Sequence, residues 1–169
     1  DRLRNWLYMS PYHLDESTVL GYLKILNKWK PKILRGYPSS LYLLARIARL
    51  HKIQIPSLKV AFTASEVLSD EYRNEIETAF NIRVFDHYGQ AEITAMLHEC
   101  EQHSGMHILE DYAYTELLPS DTPNQFRLIA TNLFNESMPL IRYDTGDLVV
   151  PEVNECSCGR NFRLIRKII

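Results

Sequence analysis

Three residues close together in the sequence, Tyr88, Gly89 and Glu92, are of the types that a nucleotide pocket uses. They follow an apolar run from Val84 that is suited to a buried strand. In such a pocket the aromatic ring, the open glycine backbone and the carboxylate would each contact a different part of the ligand. A strand that ends in an ordinary glycine turn gives the same pattern, and this is the more common reason for it.

A second group of this kind lies at residues 142–147, whose sequence is RYDTGD. A strand is predicted to end here near an aromatic residue, and Thr145, Gly146 and Asp147 are predicted to form a polar turn. An ionised aspartate only accepts hydrogen bonds and can take two O–H donors, so Asp147 would suit the paired hydroxyls of a sugar. An ordinary hairpin turn is the alternative explanation.

Helices and short apolar strands are predicted for the first half of the chain. Apolar residues recur at helical spacing over Glu16 to Trp29 and over 36–52, and Ser69 is a suitable N-cap for a third helix. The runs 58–64 and 81–88 flank this third helix as strands. Such a strand–helix–strand unit favours a parallel pair.

Both candidate polar groups of the first half, 63–66 and 88–92, fall at carboxyl ends of these strands, where ligands bind in parallel sheets. The second half is predicted to be β-rich. We therefore expect an α/β fold, with a parallel strand–helix–strand portion over 1–97 and an antiparallel, barrel-like portion over 98–169. The strand-like runs of the second portion are 106–109, 113–118, 126–131, 140–144 and 147–153.

The three cysteines of the chain suggest a metal centre. Cys156 and Cys158 form a Cys-x-Cys pair, and Cys100 lies in the histidine-containing run 98–107. Thiolates and imidazole are the ligands that tetrahedral zinc selects, and a structural site fills all four positions with protein. His98, His103 and His107 compete for the fourth position. Three unconnected thiols are the alternative.

Composition restricts the classes of function. The chain has 169 residues and a formal net charge of −2, which argues against a nucleic-acid-binding surface. No apolar run approaches the roughly 20 residues that a membrane helix needs. An odd number of cysteines does not form a disulfide framework, so a reducing, cytoplasmic setting is expected.

Several motifs in order resemble one family. The runs TASE, HYGQAE and MPLIRYDTGDLV are similar to those of the adenylate-forming (acyl-CoA synthetase) superfamily, in its phenylacetate–CoA ligase and capsule-biosynthesis branch. PKILRGYPSSLYLLA and GMHILED also resemble that branch. The resemblance extends over nearly the whole chain, and ordered motifs of this length are more specific than a single glycine loop.

The resemblance implies roles around a bound ATP or AMP. Ser65 and Glu66 would lie beside the adenine and acyl pocket. Tyr88 would stack on the adenine through its ring face, and Gly89 would let the backbone approach the nucleotide. Asp147 would bind the ribose hydroxyls.

The implied reaction is that of an acid–thiol ligase. Glu92, the catalytic candidate, would hold the magnesium that bridges the phosphates of ATP. An (aryl)carboxylate would become an acyl-adenylate and would then be transferred to coenzyme A. Ala91 departs from the pattern, because many relatives have a hydroxyl residue before the acid.

The resemblance also implies that the chain is an internal fragment. A phosphate loop is expected upstream and a lysine-bearing C-terminal lid domain downstream, and neither is recognised in the sequence, so the chain alone is expected to be inactive. The GMHILED run favours His107 as the zinc ligand beside Cys100, Cys156 and Cys158. A non-catalytic, zinc-stabilised module that binds a nucleotide or a partner is the alternative function.

Overall fold

A computed structural model describes residues 3–169. The chain divides into two compact units, of which the first ends at Val84 and the second runs from Phe85 to Ile169. The predicted division between residues 97 and 98 lies within a strand of the second unit.

The first unit alternates helices with short strands. In chain order they are α1 (Val19–Trp29), β1 (Ile33–Gly36), α2 (Pro38–Leu50), β2 (Val60–Ala64) and α3 (Asp70–Phe80). β1 and β2 are parallel, with Ile33 opposite Val60, and α2 lies between them in the sequence. A parallel strand–helix–strand unit is therefore present here, but it is built around α2, whereas the sequence predicted one around α3, and β1 was not predicted.

The helices pack through the apolar faces that their periodicity predicts. Leu23 of α1, Ala45 of α2 and Ile76 of α3 are almost completely buried in one apolar cluster. Ser69 caps α3 as expected, since its hydroxyl accepts a hydrogen bond from the backbone N–H of Tyr72 at 3.2 Å.

The first helix starts later than predicted, at Val19 instead of Glu16. The residues before Val19 form a turn that Asp15 closes. The carboxylate of Asp15 accepts hydrogen bonds from the N–H groups of Ser17 and Thr18, at 2.8 and 2.9 Å. This arrangement holds the segment in a turn until Val19.

The second unit consists of antiparallel strands. β3 (Arg83–Gly89) begins at the end of the first unit, and the strand order from it is β3-β4-β5-β9-β8-β7-β6. Among the described residues no pairing joins β6 to β3, so the sheet is open and is barrel-like only in a loose sense. The α/β class is confirmed. The other strands are β4 (Met96–Glu99), β5 (Met106–Ile108), β6 (Ala113–Pro119), β7 (Phe126–Asn132), β8 (Tyr143–Pro151) and β9 (Leu164–Ile168).

Two features of the second unit correct the sequence prediction. The RYDTGD run does not end a strand, because residues Tyr143–Pro151 form one continuous strand with an irregularity inside it. The last strand-like run predicted, 147–153, is not the last strand, because β9 follows the Cys156 segment. β4 and β9 were not predicted; both are short and carry charged residues, so their strand signal is weak.

The core of this unit is a second apolar cluster. Leu97 of β4, Ile108 of β5, Leu128 of β7 and Val149 of β8 are all fully buried in it. Within residues 3–169, no helix has both the length and the apolar character needed to cross a membrane.

Candidate nucleotide site and metal centre

The first candidate loop is the connection of the β3–β4 hairpin. Tyr88 pairs with Leu97 and Gly89 with Met96, and residues 90–95 form the loop that carries Glu92. A Cβ atom added at Gly89 would meet no other atom within 4 Å. The backbone at this position therefore faces open space, as the approach of a ligand would require.

The second candidate loop is a bulge inside β8. Asp144 pairs with Ile129 and Leu148 with Arg127, so that β8 advances four residues where β7 advances two. Gly146 occupies the bulge with φ +80°, a left-handed conformation that favours glycine.

Thr145 replaces the hydrogen bonds that the bulge removes from the ladder. Its hydroxyl donates to the carbonyl oxygen of Leu128 at 3.0 Å and accepts from the backbone N–H of Asp147 at 3.1 Å. The backbone on both sides of Gly146 is thereby held. This geometry fixes the direction in which Asp147 leaves the strand.

The two loops meet through a side-chain hydrogen bond. The phenol of Tyr88 donates to Oδ2 of Asp147, which is 59 residues away in the sequence. The amide nitrogen of Gln90 donates to the Tyr88 oxygen, and the hydroxyl of the fully buried Thr94 donates to Gln90. Burial, and then the neighbouring carboxylate of Asp147, raises the pKa of Tyr88 far above its ordinary value.

A second hydrogen bond joins the two loops, and here the tyrosine belongs to β8 and the carboxylate to the β3–β4 loop. The phenol of Tyr143, at the start of β8, donates to Oε1 of Glu92 at 3.4 Å. The negative charge of Glu92 is the main reason why the pKa of Tyr143 is raised. Sequence reasoning did not select Gln90, Thr94 or Tyr143, although all three lie in or next to the selected motifs.

The candidate residues of the first unit have a different setting. Ser65 follows β2 in a left-handed conformation with φ 69°, and both Ser65 and Glu66 are exposed. The carboxylate of Glu66 accepts from the backbone N–H and from the hydroxyl of Ser39, each at 3.0 Å. Ser39 lies in the first turn of α2, where a negative charge is favourable.

The four predicted zinc ligands lie together in the second unit. The ligand atoms of Cys100, His107, Cys156 and Cys158 are all within 4.8 Å of one another. Sγ of Cys100 is 3.6 Å from Sγ of Cys156, and Sγ of Cys158 is 3.4 Å from Nε2 of His107. A tetrahedral zinc ion places neighbouring sulfur and nitrogen ligands roughly 3.5 to 3.8 Å apart. The donor types suit zinc, and the two distances given above are close to that spacing.

Surrounding groups orient this cluster. Nδ1 of His107 lies 3.2 Å from the carbonyl oxygen of Phe162, to which it can donate, and this leaves Nε2 directed at Cys158. The backbone N–H of Gln102 donates to Sγ of Cys100 at 3.4 Å. The strand order explains the choice of histidine, since His107 pairs with Leu164 of β9, the strand that follows the Cys-x-Cys segment.

The three thiols have different tendencies to ionise. Burial raises the pKa of Cys100 to about 11. The hydroxyl of Ser104, 3.3 Å from Sγ of Cys156, is the main cause that lowers the pKa of that thiol to about 7. The backbone N–H of Arg160 lowers the pKa of Cys158. A cation would favour the thiolate form of all three.

The chain is similar over most of its length to known proteins. No protein-family model matches the chain. It is 32% identical over 148 residues to protein CapK of Staphylococcus aureus, a match that covers 86% of this chain and 32% of CapK. It is 29% identical over 147 residues to phenylacetate-coenzyme A ligase of Thermus thermophilus, covering 80% of this chain and 33% of the ligase.

A solved structure shares the fold. The crystal structure of a 2-hydroxyisobutyryl-CoA ligase in an open conformation, in complex with 2-HIB-AMP and CoA, matches with a TM-score of 0.75 and 26% identity. The match covers 90% of this chain and 39% of that chain. The chain thus spans about a third of the length of the curated relatives it matches.

The fold and the relatives together define the class of protein. The resemblance to the adenylate-forming superfamily is confirmed, because the chain is homologous to part of its acyl-CoA ligases and has the fold of that part. Its relatives include phenylacetate-CoA ligases and protein CapK.

Proposed function

We propose that the protein contributes the nucleoside-binding part of an ATP-dependent carboxylic acid–CoA ligase. The observation that carries this proposal is the hydrogen bond between Tyr88 and Asp147, which joins two motif loops that are distant in sequence. The relatives named as phenylacetate-CoA ligases support it, and so does the similar structure that holds an acyl-AMP and CoA.

Each residue of the joined loops has a role in this proposal. Asp147 accepts hydrogen bonds from the ribose hydroxyls, and the ring of Tyr88 stacks on the adenine. The open backbone at Gly89 leaves room for the nucleotide. The expected place of Ser65 and Glu66 beside the adenine and acyl pocket stays a prediction.

The carboxylate of Glu92 suits a magnesium ion, since hard cations prefer oxygen ligands. Tyr143 already holds one oxygen of this half-buried carboxylate. Bound magnesium would neutralise negative charge on the ATP phosphates. The contribution of Glu92 itself is to present a fixed anionic oxygen beside the nucleoside residues.

The proposed reaction has two steps. An oxygen of the substrate carboxylate attacks the α-phosphorus of ATP, the bond from that phosphorus to the bridging oxygen breaks, and pyrophosphate leaves. The thiol of coenzyme A then attacks the acyl carbon, its proton is lost, and AMP leaves with the electron pair of the acyl–oxygen bond. The chain's contribution to the first step is positioning and charge stabilisation.

The Cys/His cluster has a structural role in this proposal. Zinc bound by Cys100, His107, Cys156 and Cys158 would have four protein ligands and no open position for a substrate. The ion would connect the segment after β4 to the segment before β9. Its binding energy would add to folding.

Binding of AMP to the purified protein tests the nucleoside site. Asp147→Asn replaces an acceptor-only carboxylate, and we expect AMP affinity to fall at least about tenfold, as for loss of a hydrogen bond to a charged group. Asp144→Asn is the matched control, because Asp144 lies on the same strand but pairs with Arg127. Equal AMP affinity of wild type and Asp147→Asn in calorimetry would refute the assignment.

A non-catalytic nucleotide- or partner-binding module is the second candidate. Ala91 favours it, because this residue offers no hydroxyl beside Glu92. ATP–pyrophosphate exchange by the whole protein, with aryl and short-chain acids, separates the two candidates. Exchange with an acid supports the ligase, whereas AMP binding without exchange supports the module. The cytoplasmic setting and the lack of nucleic-acid and membrane partners stay predictions.

A further inference from the structure

Each of the two site carboxylates is held by a tyrosine from the other motif. Tyr88, from β3, donates to Asp147 of the β8 bulge, and Tyr143, from the start of β8, donates to Glu92 of the β3–β4 loop. These two contacts, here named the crossed pairs, link segments 59 and 51 residues apart. All four residues belong to the second unit.

We infer that Tyr143 is a positioning residue for Glu92, and that Gln90 is a positioning residue for Tyr88. This inference rests on the proposed nucleotide function of the same site. Through the crossed pairs, the metal-binding part and the nucleoside-binding part of the site are oriented by different side chains and can be perturbed separately.

Geometry supports the first assignment. Glu92 lies in a loop of six residues, and a long carboxylate on a loop has many rotamers. The phenol of Tyr143 stands on a paired strand, where Tyr143 itself is opposite Ala130. A hydrogen bond from a rigid element therefore restricts the directions in which Glu92 can present its oxygens to a cation.

The second assignment follows from a chain of three donors. Thr94 is fully buried and donates to Gln90, Gln90 donates to the Tyr88 oxygen, and Tyr88 donates to Asp147. Because Gln90 occupies an acceptor position of the phenol, the Tyr88 proton points toward Oδ2 of Asp147. The order of donors thus fixes both the tyrosine ring and one oxygen of the ribose-binding carboxylate.

The test compares Tyr143→Phe with Gln90→Met in binding experiments on the purified protein. For Tyr143→Phe we expect the free Mg²⁺ concentration that gives half-maximal ATP binding to rise roughly fivefold, with Mg²⁺-free AMP affinity unchanged. For Gln90→Met we expect AMP affinity to fall roughly threefold, with the Mg²⁺ dependence of ATP binding unchanged. Tyr114→Phe, at an exposed tyrosine of β6, is the matched control.

A purely structural role would give a different pattern. Both variants would then lower the melting temperature and weaken the binding of AMP and of ATP together. The Mg²⁺ requirement would not distinguish Tyr143→Phe from Gln90→Met. In the Glu92→Gln background, Tyr143→Phe should add little to the Mg²⁺ requirement, because the two side chains act as a pair. Additive effects in that background would overturn the assignment of Tyr143.

The outcomes distinguish this inference from the function on which it rests. If wild type binds AMP and ATP but Tyr143→Phe has an unchanged Mg²⁺ requirement, the positioning role of Tyr143 is wrong and the nucleotide site stands. If wild type binds neither nucleotide at any Mg²⁺ concentration, the nucleotide site and the crossed-pair role both fall.

Discussion

Loss of zinc from the Cys/His cluster should destabilise the second unit. The size of the effect can be worked out from the sequence separation of the ligands. The change is Cys158→Ser or His107→Gln, either of which removes a ligand from the cluster of Cys100, His107, Cys156 and Cys158. In the wild type, we expect about one equivalent of bound zinc.

The magnitude follows from loop closure. Cys100 and Cys156 are 56 residues apart, so a metal bound to both closes a loop of that size. A cross-link that closes a loop of roughly this length removes unfolded-state entropy worth about 4 kcal/mol at 25 °C. For a chain of this size that corresponds to a fall in melting temperature of roughly 10 °C.

The assay combines metal analysis with thermal unfolding. The variant His107→Gln should lose zinc and melt roughly 10 °C lower, and chelation of the wild type should cause a similar shift. His98→Gln is the matched control, since His98 lies opposite His107 in the neighbouring strand but outside the cluster. It should keep its zinc.

Two results would refute the reasoning. Less than about half an equivalent of zinc in the wild type is incompatible with a structural site of ordinary affinity. Zinc that is present but can be removed without any change in melting temperature would show that the ion does not cross-link the fold.

Three further predictions concern the stability of individual elements. Ser69→Ala removes the N-cap of α3 and should lower the free energy of unfolding by about 1 kcal/mol in denaturant titrations, and an effect near zero would contradict the cap. Leu97→Ala should cost about 2–5 kcal/mol because the side chain is fully buried, whereas the volume-conserving Leu97→Met should cost less than about 1.5 kcal/mol, and equal costs would contradict that packing. Arg127 lowers the pKa of Asp144, so this pair stabilises the fold above the unfolded pKa of about 3.9 and the contribution is lost as pH falls through the lower folded pKa. Because the pair is exposed, Asp144→Asn should cost under about 1 kcal/mol at pH 6, and a difference from wild type that persists at pH 2 would contradict this assignment.

Local sequence signals were sufficient to predict the elements that have a long apolar pattern or a recognisable capping residue at one end. The helical spacing over 36–52 predicted α2, and Ser69 with two following acids predicted the start of α3. The late start of α1 was missed, because the turn that Asp15 closes before it depends on side-chain hydrogen bonds that periodicity does not report. Short strands such as β9 were missed for a related reason, since pairing with β5 and β8 stabilises a segment rich in basic residues.

The bulge in β8, at the candidate site, was also not predicted from local residue types. Thr145, Gly146 and Asp147 have the composition of a turn, and the sequence predicts one. The structure instead continues the strand on both sides, because β7 offers partners to Asp144 and to Leu148. A bulge and a turn share their residue types, and only the partner strand distinguishes them.

The sequence by itself determined the chemical inventory: an aromatic, a glycine and two carboxylates in ordered motifs, and three thiols with several histidines. The tertiary structure decided which of these meet. It brought Tyr88 to Asp147 and Tyr143 to Glu92, and it placed His107, which the family resemblance already favoured, beside the three cysteines. The physical reason is that these contacts join residues more than 50 positions apart, so they depend on strand order and register, which local residue patterns do not encode.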